Sequence, residues 1–340
     1  MVSEINKYLC GNSFRSGGWL CFDKPSGMSS NQALMKVKKI FGCRVGYIGT
    51  LDPFATGVLP VAVGEARKFI PYASEVEKTY VFDVLFGIAT DTFDRCGAVV
   101  TTSDKIPHRQ EIEQVLPRFL GQQLQIPPSF SAKKIAGKRA CDIMRSGQTV
   151  QLTPVPIRIL GLELLDGDCA NENGDYASSF ADGKCFKFLA RPSQGTYIRR
   201  LACDIAAELG SVAHVTALRR IKSGFFSVSD AISLEKLMKM RDTDTVFRSL
   251  IPCECPLDDI PALYLNEDSV VRLQNRLLVS PFSVNNGGFL SGECGGSRMI
   301  SSNVLIFEKI SRHFFGVGFV SEENEVRAVR MCSPMIKKVH

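Results

Sequence analysis

Apolar residues recur at Leu34, Val37 and Ile40, the three-to-four spacing of one helical face, behind Ser29 and Gln32, which stand three apart as a capping box. Gly42 supplies a stop, so the spacing predicts a helix over residues 30–41, and Asp52 falls on the loop that follows. Residues 79–87 keep the other period. Tyr80, Phe82, Val84 and Phe86 alternate along one face, which predicts a strand whose first inward residue is Tyr80. Ile112, Val115, Leu116, Phe119 and Leu120 form a helical stripe over 110–120 that Pro117 kinks or breaks. Lys184 to Leu189 alternates as a strand. Ile198, Leu201, Ile205 and Leu209 then make an apolar stripe ending at Gly210, placing Arg199 in the first turn of a helix.

Past Cys253-Glu-Cys-Pro256 the pattern changes to a linker, and residues 262–332 carry short strands such as Val304 to Phe307, Phe314 to Val320 and Val326 to Met331. Two excursions interrupt the regular elements. Residues 127–150 begin with two prolines and become basic and glycine-punctuated, as a surface segment that orders against phosphates would. Asp166 to Asp175 has the density of acids of a calcium loop, but Asn171 stands where the turn glycine belongs and no Glu closes it, so it reads as an acidic hairpin insertion.

Composition narrows the class. The chain has 340 residues, 45% of them hydrophobic, with a mean hydropathy of +0.04, which suits one large domain plus a small one. No run approaches the roughly 18 apolar residues of a membrane span, and the N-terminus lacks the basic-then-apolar order of a secretory signal, so a cytoplasmic protein is expected. Twelve cysteines are scattered without a Cys-x-x-Cys pair and the four histidines are dispersed, so reduced, mostly buried thiols and no metal site are expected. The net charge of +6 is mild, yet it is segregated. Lys133, Lys134, Lys138, Arg139 and Arg145 face only Asp142 within 133–145. Arg191, Arg199, Arg200, Arg219, Arg220 and Lys222 outnumber Asp204 and Glu208 within 191–222. Either cluster alone reads as a solvated surface; together they suit an RNA partner.

The candidate chemistry lies in Gly-Tyr-Ile-Gly-Thr-Leu-Asp-Pro-Phe-Ala-Thr-Gly-Val-Leu-Pro, residues 46–60. Its single carboxylate, Asp52, follows glycines that allow close backbone approaches and precedes a proline that holds it extended, so the acid is aimed. Read alone, Asp52-Pro53 is also an ordinary turn. The segment lacks the GxxxxGK[ST] order of a phosphate-loop NTPase.

This run resembles the catalytic motif of the TruB family of RNA pseudouridine synthases, and collinear blocks support the likeness: Asp23-Lys24-Pro25-Ser26-Gly27, Gly64-Glu65-Ala66-Arg67-Lys68, Lys78-Thr79-Tyr80, Pro127 to Lys133, Gly195-Thr196-Tyr197-Ile198-Arg199, and Ala213-His214-Val215 with Leu218-Arg219-Arg220. The resemblance is strong over about residues 17–230. It implies an α/β (α+β) pseudouridine synthase fold, a mixed, mainly antiparallel sheet flanked by helices, over residues 17–252 behind a 1–16 tail. Residues 127–150 would be the RNA-gripping insertion and 257–340 a small β-rich PUA-like domain, for which a structural β appendage is the alternative.

The resemblance also implies roles. Asp52 would be the catalytic carboxylate and Arg199 its partner, favouring the ionised form. Tyr80 would stack on the target base and its hydroxyl could take the C5 proton, although a buried Tyr there also serves as core. Tyr197, Leu218, Lys24 and Lys133 would meet the substrate, as would Tyr47, which stands where many members have His and does not titrate near pH 7. The implied reaction makes pseudouridine at position 55 in the T-loop of tRNA, with no cofactor, no metal and no protein partner, by a monomer. Whether the carboxylate attacks ribose or base, or acts as a base in a glycal route, stays open. Two other readings are a guide-dependent pseudouridine synthase, disfavoured by the absence of lysine-rich tails, and a non-catalytic RNA chaperone, disfavoured by intact Asp52, Tyr80 and Arg199.

Overall fold

A computed structural model describes residues 17–73, 77–131, 133–135, 137–167, 169, 184–241, 245–280 and 302–332. In chain order its strands are β1 (Gly17–Lys24), β2 (Val45–Tyr47), β3 (Thr56–Gly64), β4 (Lys78–Phe86), β5 (Ile88–Thr90), β6 (Val99–Thr102), β7 (Gly121–Gln125), β8 (Lys134–Ile135), β9 (Lys138–Arg139), β10 (Val155–Leu165), β11 (Cys185–Pro192), β12 (Ala213–Ser223), β13 (Phe226–Ser227), β14 (Ile232–Ser233), β15 (Ala262–Leu265), β16 (Ser302–Glu308), β17 (Phe314–Val320) and β18 (Val326–Met331).

The main sheet runs β14-β1-β3-β12-β4-β11-β10-β7, with β2 added to β3 and β13 to β12. Only the β1–β14 and β3–β12 pairs are parallel, so the sheet is mixed and mainly antiparallel, as expected. Strand β3 shows how it is covered. Leu59, Val61 and Val63 join the core built with Leu34 and Val37, whereas Val58 and Ala62 join a second core with Phe69, Phe314 and Val317. Successive side chains take opposite faces, so β3 has helix on one side and the C-terminal sheet on the other. That sheet, β15-β16-β17-β18, packs through Phe69 against Phe314 at 5.2 Å between ring centroids.

The first helix is Ser30–Phe41. The Ser29 hydroxyl accepts from the Gln32 amide at 3.2 Å while the Gln32 side chain accepts from the Ser29 amide at 2.8 Å, and Gly42 closes the far end at φ +66°. The 110–120 stripe divides at its proline into an α-helix, Arg109–Val115, and a 3₁₀ turn, Leu116–Phe119. Helix Ile198–Glu208 carries Arg199 in its first turn and buries Ile198, Leu201, Ala202 and Ile205. Helix Glu267–Gln274 and strand β15 are additions to the elements read from the sequence.

Two expectations need correction. Cys169 and Cys185 form a disulfide, because the antiparallel pairing of β10 with β11 brings the chain beyond Leu165 back beside the start of β11. Among the free described cysteines only Cys21 and Cys253 are buried. The 127–150 excursion is not wholly superficial, since Pro127, Pro128 and Ser131 are buried at its root. The acidic stretch from Asp166 to Asp175, apart from residues 166, 167 and 169, and the 1–16 tail lie outside the described residues. Among the described residues no helix is long and apolar enough to cross a membrane, and no cluster of three His, Cys, Asp or Glu is arranged to hold a metal ion.

Candidate active site

Asp52 lies on the loop between β2 and β3, and that loop is tied down on both sides. Buried Ser30, at the start of the first helix, donates to the Leu51 carbonyl at 2.9 Å and accepts from the Leu51 amide at 2.8 Å. The Gly27 amide and the Ser26 hydroxyl hold the carbonyls of Pro53 and Phe54, each at 3.0 Å. Gly57 must be glycine at the loop exit: it adopts φ +100°, and a β-carbon there would lie 2.2 Å from the Arg220 carbonyl of neighbouring β12.

The Asp52 carboxylate meets Arg199. Nη2 donates to Oδ1 at 3.1 Å, and Nε sits 2.8 Å from Oδ2 as an ion-pair contact outside hydrogen-bond alignment. The rest of the guanidinium is spoken for. Nη1 donates to the Thr92 carbonyl at 2.7 Å and lies 3.3 Å from Asp94, and Nη2 also reaches the Phe130 carbonyl at 3.0 Å. Such a fork sets the rotamer of the carboxylate as well as its charge balance. Asp94 is held in turn by the Thr92 hydroxyl at 2.8 Å and the Cys96 amide at 2.9 Å.

Burial raises the Asp52 carboxyl above the ordinary aspartate value; Arg199 pulls it down and Asp94 pushes it up. The expected pull of the arginine is therefore present, but desolvation outweighs it. One third of the Asp52 side chain still faces the cleft, so filling the cleft would complete that desolvation.

The cleft encloses about 360 Å³, enough for a small ligand group. Asp52, Tyr80, Lys133, Tyr197, Arg199 and Leu218 all line it. Tyr80 is half-buried on β4. Tyr197 caps the Ile198–Glu208 helix and is gripped by Gln125, which accepts from its amide at 2.8 Å and donates to its carbonyl at 3.2 Å. Leu218, 6% exposed, supplies an apolar wall from β12.

Two residues expected against substrate do not line this cleft. Tyr47 is half-buried on β2, packed against the main core and absent from the cleft wall. Lys24 is fully buried, and its three ammonium donors are used on the carbonyls of Pro25, Met28 and Pro53 at 2.9, 2.7 and 3.2 Å. It staples the 25–28 turn to the Asp52 loop. Burial brings its ammonium down to about 8 against the upward pull of Asp52.

Asp94, Gln125, Ser30, Lys78 and Arg220 complete the site and were not singled out as site residues from the sequence. Lys78 stands inside the Lys78-Thr79-Tyr80 block and Ser30 beside the capping box, so both carried a signal. Asp94 carried none, being one acid in a turn-rich stretch.

Residues 34–198 match the family model for the TruB family pseudouridylate synthase N-terminal domain, and residues 199–258 that for the tRNA pseudouridylate synthase B C-terminal domain. The chain is 45% identical over 263 residues to tRNA pseudouridine synthase B of Zymomonas mobilis subsp. mobilis, covering 76% of this chain and 82% of that protein. It is 39% identical over 264 residues to the protein of the same name in Caulobacter vibrioides, covering 77% and 81%. Among solved structures it resembles one in a Cbf5–Nop10–Gar1 complex, with TM-score 0.65 at 21% identity over 94% of this chain and 86% of that one. An H/ACA RNP bound to a substrate RNA containing 2′-deoxyuridine gives 0.64 at 20%, over 98% and 88%. At those identities the likeness speaks for the fold.

The class is thus an isomerase class, the pseudouridine synthases. Within it, the chain belongs to the TruB family.

Proposed function

We propose that this protein converts uridine to pseudouridine in the T-loop of tRNA, at position 55 in the usual tRNA numbering, with Asp52 as the catalytic carboxylate and the target base turned out of the loop. The observation that carries the reading is the Asp52–Arg199 fork on the wall of a base-sized cleft that Tyr80 and Leu218 also line. In the reaction the bond from uracil N1 to ribose C1′ breaks, the base turns, and C5 bonds to the same carbon. The C5 proton leaves and N1 takes one up, so atoms and oxidation state balance without a redox partner. Asp52 supplies the carboxylate, Tyr80 stacks on the base, and the apolar wall made by Leu218 keeps water from the separated fragments. Turning a base out costs a few kcal/mol and least in a loop that is not duplex, which favours the T-loop over a stem.

An isolated T-arm hairpin is expected to be a substrate for the protein alone, with turnover retained in chelator and without added nucleotide. Mapping pseudouridine in that hairpin, and in tRNA from cells with and without the gene, checks this. Dependence on a guide RNA, or an unmodified position 55 in the hairpin, would overturn the assignment.

Tyr80 separates packing from chemistry. Tyr80→Phe keeps the ring and is expected to slow single-turnover pseudouridine formation about 10²-fold with RNA affinity retained, as for a lost general base. A residue that only packs would lose about 1 kcal/mol of stability with one hydrogen bond and leave the rate alone. Rates, affinities and denaturation midpoints measured side by side decide between the two.

A further inference from the structure

The cleft contains a cation that the reaction scheme leaves unused. Lys78 opens β4 two residues before Tyr80, is 8% exposed and lines the cleft. Its ammonium makes no hydrogen bond or ion pair among the described residues, the backbone alone being paired, with Ser223 of β12. Lys24, the other buried lysine of this region, is saturated by three carbonyls. Arg220, beside Lys78, is anchored through two of its nitrogens, with Nε donating to the Val58 carbonyl at 2.7 Å and Nη2 to the Gly49 carbonyl at 2.9 Å. A β-carbon at Gly49 would lie 3.1 Å from Arg220 Nη1 and 3.6 Å from Lys78 Nζ, so both cations press on one side of the cleft. Burial, and then the like charge of Arg220, bring the Lys78 ammonium down to about 8, and no carboxylate acts on it in the opposite sense. A desolvated ammonium with no acceptor and a like charge beside it is unfavourable until an anion arrives.

The substrate brings one permanent anion, its phosphodiester. We propose that Lys78 binds a phosphate oxygen of the turned-out uridine, so that β4 holds one nucleotide by two adjacent same-face residues, base on Tyr80 and phosphate on Lys78. Same-face residues on a strand are about 7 Å apart, on the scale that separates a base from the phosphate of its own nucleotide. Gly49 is part of the design, since any side chain there would crowd both cations.

This inference rests on the reading that the cleft takes a uridine, and its test separates the two. Lys78→Met and Lys78→Arg are made in the full chain and titrated with the T-arm hairpin at several salt concentrations, alongside single-turnover rates at saturating RNA. Lys78→Met is expected to weaken binding about tenfold and to lower the slope of log affinity against log salt by about 0.7–0.9, the signature of one lost phosphate contact. The loss falls on affinity rather than on the saturating rate, and Lys78→Arg restores the slope. Because methionine removes an unpartnered buried charge, the variant is expected to fold with a denaturation midpoint at or above the parent's. An unchanged salt slope, or a fall confined to the saturating rate, would overturn the phosphate contact. A parent protein that binds the hairpin but forms no pseudouridine would instead overturn the functional reading and leave the slope experiment intact.

Discussion

Asp52→Asn is expected to abolish pseudouridine formation, lowering the single-turnover rate by on the order of 10⁴-fold or more, while RNA affinity stays within about tenfold. Asparagine keeps the size of the side chain and a polar contact to Arg199, whose other partners, Asp94 and the carbonyls of Thr92 and Phe130, are untouched. Rate and affinity should therefore part company. Near-normal turnover would remove Asp52 from the chemistry, and joint loss of binding and turnover would make it structural. The pH dependence gives a second handle. In the parent the rate should fall as pH drops through the Asp52 pKa, which burial sets above the ordinary aspartate range. Stability follows the opposite sign. With the folded pKa raised above the unfolded one, the contribution of Asp52 is fully present below the ordinary aspartate value and is lost as pH rises through the folded value. The amide that replaces the carboxyl does not titrate, so denaturation midpoints of the variant should change less with pH across that window than the parent's.

Arg199→Met is expected to cost more in stability than any other single change in the site. The side chain is 4% exposed, and removing it strands the carboxylates of Asp52 and Asp94 and the carbonyls of Thr92 and Phe130. Breaking a buried ion pair from one side costs about 3–5 kcal/mol. Asp94, 5% exposed, bears more of that than Asp52, which solvent still reaches from the cleft. Arg199→Lys keeps the charge but not the fork, because one ammonium cannot reach four acceptors spread around a guanidinium. The lysine variant should regain part of the stability and little of the activity. Urea midpoints and single-turnover rates for both variants check this; a lysine variant with parental turnover would show that charge alone suffices.

Much of the frame was legible. The Ser29/Gln32 box and Gly42 gave the first helix its ends, and β17 and β18 run over the short strands read at Phe314 to Val320 and Val326 to Met331, because capping and strand composition are local physics. Arg199 in the first turn of its helix followed from the apolar stripe behind it. Its contact with Asp52 did not follow from any pattern, for 147 positions separate them, and only family resemblance joined the two. What could not be read is how a cation is used. Lys24 and Lys78 look alike in the sequence, each just ahead of a motif residue, but one is saturated by carbonyls supplied by a turn and a loop and the other is left open in the cleft. Asp94 was illegible for the same reason: its value lies in a partner brought by another element. Cys169 and Cys185 were separated by an insertion whose closure depends on β10 and β11 finding their register.

The order of strands carries a consequence for synthesis. Strand β12 sits between β3 and β4 at the centre of the main sheet, although it follows both by more than a hundred residues. A chain emerging from the ribosome thus makes β1 and β3, the Asp52 loop and then β4 without the strand that joins them, and without the arginine that balances Asp52. Contacts of such long range form late and slowly. The sheet cannot close until Ala213–Ser223 have emerged and entered the gap, so a prematurely released fragment ending before β12 is expected not to modify RNA.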